Sequence, residues 1–190
     1  LPLYEDWGRI LTPALHLDFA VRAAQVQGVS IERGSPARLA EIVEFLNRWQ
    51  RNRQFAPVYR LEDFGRGRFR GLAAEDFFLA VRERRIVGTI AAWDQSAIRQ
   101  THVERYPAHL AALRPIYNAL SRVTPLKALP RRGDRIPYVY LACIATEEDD
   151  VKLFRSLLRA THEALRQGRS HFAIPALHES DPRARVLDEM

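Results

Sequence analysis

Cysteine and lysine are nearly absent. The 190 residues hold one cysteine, Cys143, and two lysines, Lys127 and Lys152. A lone cysteine excludes an internal disulfide and a cysteine-built metal cluster. No apolar run approaches the roughly 18 to 20 residues that cross a bilayer, so no membrane partner is expected. No basic-then-apolar leader is visible either, which makes the cytoplasm the expected location. Internal repeats and low-complexity tracts are also missing. What is present suits an ordinary soluble domain with or without an extension: 47% hydrophobic residues for a core and 27% charged residues for a surface.

With so little lysine, the net charge of +6 rests on arginine. Seven arginines fall between Arg48 and Arg70, among Tyr59, Phe64 and Phe69. Such a cluster either attracts phosphates or forms a solvated basic face. No nucleic-acid-binding motif accompanies it, so nucleic acid is not the expected partner.

Residues 1–28 carry no sustained period and read as a linker or connecting segment. Within them, Leu15 to Val21 is an apolar run. Val29 to Glu32 alternates and suits a half-buried strand. Ser35-Pro36 then opens a helix, with Ser35 as cap and Pro36 at the first position. Leu39, Ile42, Val43, Leu46 and Trp49 give it one apolar face. Gln54 to Gly71 is rich in loop residues. Phe77 to Glu83 and Ile86 to Trp93 read as two central strands joined by a turn at Arg84-Arg85. Pro107 to Arg122 has helical spacing, and Pro115 is expected to kink or split it. Thr124 to Pro137 is a surface loop. Tyr138 to Ala145 is the strongest strand of the chain. Thr146 and the acidic run Glu147 to Asp150 lead into a helix that Gly168 closes. His171 to Leu177 is a further strand, and Pro175 within it predicts a bulge or a splayed edge.

Strand, acidic turn, amphipathic helix, strand, and then Asp181-Pro182-Arg183-Ala184-Arg185-Val186-Leu187-Asp188 resembles the cofactor-binding half of the GNAT superfamily, the acyl-CoA N-acyltransferases. The resemblance covers Val29 to Met190. It implies an α/β (α+β) fold with a mixed, mostly antiparallel central sheet and helices on both faces. Two strands of that sheet splay apart, and acetyl-CoA or another acyl-CoA lies in the wedge. An acyl group would pass to the amine of a small molecule or a protein. The thioester carbonyl would be polarised by a backbone N–H of the strand Tyr138 to Ala145. That places Leu141, Ala142, Cys143 and Ile144 against the cofactor. The chain begins without an initiator methionine, and a helical pattern still runs at Met190. Both give the expectation of a piece of a longer protein, lacking the last strands of the fold. The resemblance then implies a tandem second GNAT-like domain or a homodimer as partner.

Two landmarks of the family are altered here. The phosphate loop, R/Q-x-x-G-x-G/A, uses glycines and a helix N-terminus to approach a pyrophosphate. Asp149, Lys152 and Phe154 fall at its three defining positions, and Lys152 is the one cation available there. Glu147, Glu148, Asp149 and Asp150 put negative charge where the anion would sit; equally, acidic residues suit the dipole of the following helix. Weak or absent cofactor binding is the expectation, and with it an alternative role as a non-catalytic scaffolding domain beside an active partner. The second landmark, N-P-x-A-x-x-L-Y, keeps its proline, alanine and leucine. Asp181 stands for the asparagine and Asp188 for the tyrosine, the usual proton donor to the departing thiolate. The resemblance makes Asp188 a candidate acid, and Glu83, Asp94 and Glu104 candidate bases acting through water. Arg183 and Arg185 are expected to neighbour Asp188 and keep it on the surface or ion-paired.

Other residues have plainer readings. Cys143 sits in an apolar strand as a small hydrophobe. His171 and His178 flank a strand. His102 and His109 could share a helix face but lack a third ligand, so no metal site is expected. Trp93, Tyr117, Tyr138 and Tyr140 are candidates for a cleft or for the core.

Overall fold

A strand buried on both faces needs apolar residues nearly throughout, and Phe77 to Trp93 supplies them. In a computed structural model, which describes residues 7–51, 53 and 56–190, that stretch is the centre of the sheet. Positions 1–6 of the expected connection and 54–55 of the expected loop lie outside the described residues, as does 52. In chain order the elements are β1 (Ile10–Leu11), β2 (Leu15–His16), β3 (Ser30–Arg33), α1 (Leu39–Gln50), β4 (Phe64–Gly65), β5 (Phe69–Arg70) and β6 (Phe77–Arg82). There follow β7 (Arg85–Trp93), α2 (Ala108–Leu120), β8 (Tyr138–Thr146), α3 (Val151–Arg166), β9 (Phe172–Pro175) and β10 (Leu177–His178).

The main sheet has the order β2-β9-β8-β7-β6-β3. All neighbours are antiparallel except β8 and β9, which are parallel. Side chains alternate across β6. Phe77, Leu79 and Val81 meet Ile42, Phe45 and Leu46 of α1, while Phe78 and Ala80 meet Leu153, Phe154 and Leu157 of α3. Helices thus cover both faces of a mixed, mostly antiparallel sheet, as expected from the sequence.

Local details depart from expectation in instructive ways. The β6–β7 turn falls at Glu83-Arg84, one residue early, because Arg85 already pairs with Arg82. Both turn residues have positive φ, 49° and 66°, the geometry that matches strand twist in a two-residue hairpin. Ser35 is extended and makes no side-chain cap bond; the chain enters α1 through a 3-10 turn, Pro36–Arg38. Of the two expected outcomes at Pro115, a split does not occur: α2 runs continuously through it with no residue buried. Its lost backbone bond is cheap where the freed carbonyl faces water. Residues 7–28 pack on the domain. Leu15 and Leu17 are buried, β2 adds an edge strand beside β9, and β1 pairs with β10.

Two features shape the site. The β8–β9 ladder stops at the pair Leu141–Pro175, where proline can donate no further bond, while β8 runs on to Thr146. The two strands therefore separate. Between β7 and β8 the register shifts, so that Ile90 lies opposite both Cys143 and Ile144. This is a β-bulge, with Cys143 at φ 50°. The Thr89 hydroxyl donates to the Cys143 carbonyl at 2.8 Å inside the core.

Candidate functional site

Separation of β8 from β9 opens a cleft of about 470 Å³. Leu141, Ala142, Cys143 and Ile144 form one wall, and Ile174, Ala176 and Leu177 the other. Trp93 and Tyr140 sit on its rim with Gln50. The cleft ends at Arg53, His178, Asp181 and Arg183. Four of the residues expected to face a cofactor, positions 141–144, thus stand together.

Arg183 is the largest fully buried side chain among the described residues, 1% exposed. It is held in a fork by Asp181: Nε to Oδ1 at 3.0 Å and Nη2 to Oδ2 at 2.7 Å. Its Nη1 lies 3.4 Å from Thr146 Oγ1 and 3.3 Å from Asp149 Oδ1. The guanidinium stands 5.8 Å from the centre of the Phe154 ring. Arg53 closes the cluster, pairing with Asp149 and, at 3.4 Å, with Asp181. Two cations and two anions balance, as burial demands. Burial alone would raise the Asp181 carboxyl. The hydrogen bonds and charge of Arg183 outweigh it and hold the group below the usual carboxylate range.

The phosphate-loop position is filled by the chain itself. Asp150 caps α3, its Oδ1 accepting from the N–H of Lys152 at 2.7 Å and of Leu153 at 3.1 Å. Those are N–H groups that an anion at a helix N-terminus would use. Glu148 and Asp149 both adopt positive φ, 51° and 52°. That costs non-glycine residues conformational energy, and here it lets Asp149 reach both arginines. Glu147 lies 4.0 Å from Arg82. Asp150 therefore caps the helix, and Glu147 and Asp149 pair with arginines.

The other candidates are scattered. Glu83 is exposed in the β6–β7 turn. Asp94 is exposed beyond β7, accepting from Ser96 N at 2.8 Å, and lines a separate cavity of about 320 Å³ with Tyr138. Lys152 is exposed on the first turn of α3 and lines no wall of the cleft. Asp188 is exposed on a 3-10 helix, Ala184–Glu189, also outside the cleft. Arg183 does not neighbour it as expected, because its guanidinium turns inward to Asp181. Glu104 is exposed, Tyr117 lies on α2, and His102 pairs with Arg135 in an isolated bridge away from His109. Burial pushes the Cys143 thiol up to about 12, which fits a core residue and not a nucleophile. Of the arginines between positions 48 and 70, Arg48 pairs with Glu44 and Arg68 with Asp63; Arg53 reaches the cleft.

Sequence reasoning missed Arg53, Arg183 and His178 as parts of one site. His178 bonds outward on both ring nitrogens, Nδ1 to Ser180 Oγ at 2.7 Å and Nε2 to the Trp7 carbonyl at 2.6 Å. The one available signal was the Asp181-Pro182-Arg183 spacing, which allows an aspartate and an arginine two residues apart to fork around a turn.

No family model and no curated protein sequence matches the chain. In structure it is similar to a Pyrococcus horikoshii protein provisionally described as an acetyltransferase, with a TM-score of 0.38 and 11% sequence identity. That similarity covers 75% of this chain and 38% of that protein's length.

Proposed function

We propose that the chain serves an N-acyltransferase-type protein as a GNAT-like domain that does not seat acyl-CoA itself, and that it shapes a cleft beside a catalytic partner domain or copy. The observation that carries this is the occupied helix terminus. The Asp150 carboxylate already takes the N–H groups of Lys152 and Leu153, and Asp149 already occupies Arg53 and Arg183. A pyrophosphate would have to displace both carboxylates and then lie beside Glu147 and Glu148, against like charge in a part-buried place. The exposed positions of Asp188, Glu83 and Asp94 support the same reading. None of them lines the β8–β9 cleft. The amine acceptor, on a small molecule or a protein, would then be held by the pair of domains together.

Calorimetric titration with acetyl-CoA tests the proposal. The expected dissociation constant is no tighter than about millimolar, roughly 4 kcal/mol of binding. A low-micromolar constant would overturn it.

A further inference from the structure

The segment between β7 and β8 is unlike the rest of the molecule. Residues 97–137 contain eight arginines and lysines against two acids, Glu104 and Asp134. The whole net charge of +6 therefore resides there, and the remainder of the chain balances. Arg99, Arg105, Arg122, Arg131, Arg132 and Arg135 are all exposed, and among the described residues none of them pairs with a carboxylate.

Within this segment α2 is mounted the wrong way round for a soluble protein. Its polar side chains hold it to the loop that follows it: Arg114 Nε donates to the carbonyls of Leu129 and Pro130 at 3.2 and 2.9 Å, and Asn118 bonds both backbone groups of Leu129. Its apolar side chains face water. Leu110, Leu113, Ile116 and Leu120, with Val123 in the turn just after the helix, recur at helical spacing and are 40 to 83% exposed. Together they make an exposed apolar stripe of the kind that marks an interaction surface. The stripe is convex and aliphatic, without the tryptophan or arginine anchors that dominate protein–protein hot spots.

We infer that this basic, apolar-faced insertion docks the protein on an anionic lipid surface, with α2 lying in the interface plane. Apolar insertion and arginine attraction to acidic headgroups act together in such helices. No helix among the described residues is long and apolar enough to cross a membrane, so the contact is peripheral. A second copy of the chain fits less well, since pairing would bring together two segments that each carry the net charge of +6. Nucleic acid would satisfy the arginines and leave the stripe wet.

Co-sedimentation with lipid vesicles tests the inference. Vesicles of phosphatidylcholine with roughly 30% phosphatidylserine should pellet the protein, and pure phosphatidylcholine should do so at least about tenfold less well. Leu113→Glu with Ile116→Glu, and separately Arg131→Glu with Arg132→Glu, should each weaken binding at least about tenfold. Thermal melting should be unchanged in both variants, because none of the four side chains is buried. Failure to bind anionic vesicles would overturn the inference. So would binding that survives Leu113→Glu with Ile116→Glu, which would be charge adhesion alone. A dimer in sedimentation velocity that the same pair dissolves would assign the stripe to a second copy instead. An acidic amphipathic peptide that occupies the stripe while vesicles do not would assign it to a protein.

Discussion

Replacing Arg183 by methionine should destabilise the fold more than any surface change, and in a pH-dependent way. Methionine fills much of the same space beside Phe154, so the loss is mainly electrostatic. It strands Asp181, 9% exposed, whose two side-chain oxygens lie 3.0 and 2.7 Å from the guanidinium. Breaking a buried pair by removing one partner costs about 3 to 5 kcal/mol. Arg53 remains 3.4 Å from Asp181 but is partly exposed, so the lower end, about 3 kcal/mol, is expected. With a slope of about 2 kcal/mol per molar, the urea midpoint should fall by roughly 1.5 M at unchanged slope. The sign with pH follows from the direction of the Asp181 shift. In the native protein its carboxyl is held low, so its contribution is complete at neutral pH and is lost as pH falls below about 4 toward the folded-state value. In Arg183→Met, burial is left with less to oppose it and acts to raise the group. Acid then protonates an unpaired carboxylate and relieves it. The gap between the two proteins should therefore shrink as pH falls from 7 to 5. Adding Asp181→Asn, which keeps the Oδ1 acceptor for the Arg183 backbone N–H, should recover part of the loss at pH 7. A cost under about 1 kcal/mol, or one that does not vary with pH, would refute the view that this pair is a stability determinant.

Asp150→Ala removes the α3 cap and should cost about 1 kcal/mol, read as a lower melting temperature; an unchanged melting temperature would mean that water replaces the carboxylate without loss. Cys143, buried with its thiol pushed up to about 12, should react with a thiol reagent at neutral pH only once denaturant unfolds the chain; rapid labelling of the native protein would contradict its place in the core.

The sheet and its covering helices could be read along the chain because they rest on local signals. Apolar continuity from Phe77 to Trp93 and from Tyr138 to Ala145 marks strands buried on both faces. The periods of Ile42 to Leu46 and of Leu153 to Leu158 mark the helices that cover them. Pro175 showed where β9 must leave its neighbour, and so where the cleft lies. The tertiary structure decided what local patterns cannot encode. Helical spacing said that α2 would form, but the same stripe suits a core-facing or a solvent-facing helix, and the mounting was settled by Arg114 and Asn118 finding carbonyls at 129–130. The turn register at Glu83-Arg84 was fixed by cross-strand pairing. The acidic run Glu147 to Asp150 was visible as charge, yet its partner Arg53 lies 96 residues away in sequence. Only the approach of α1 to the splayed ends of β8 and β9 brings Arg53 beside Asp149, Asp181 and Arg183. Periodicity reports which face of an element is apolar; it carries no information on which distant charges will be buried together.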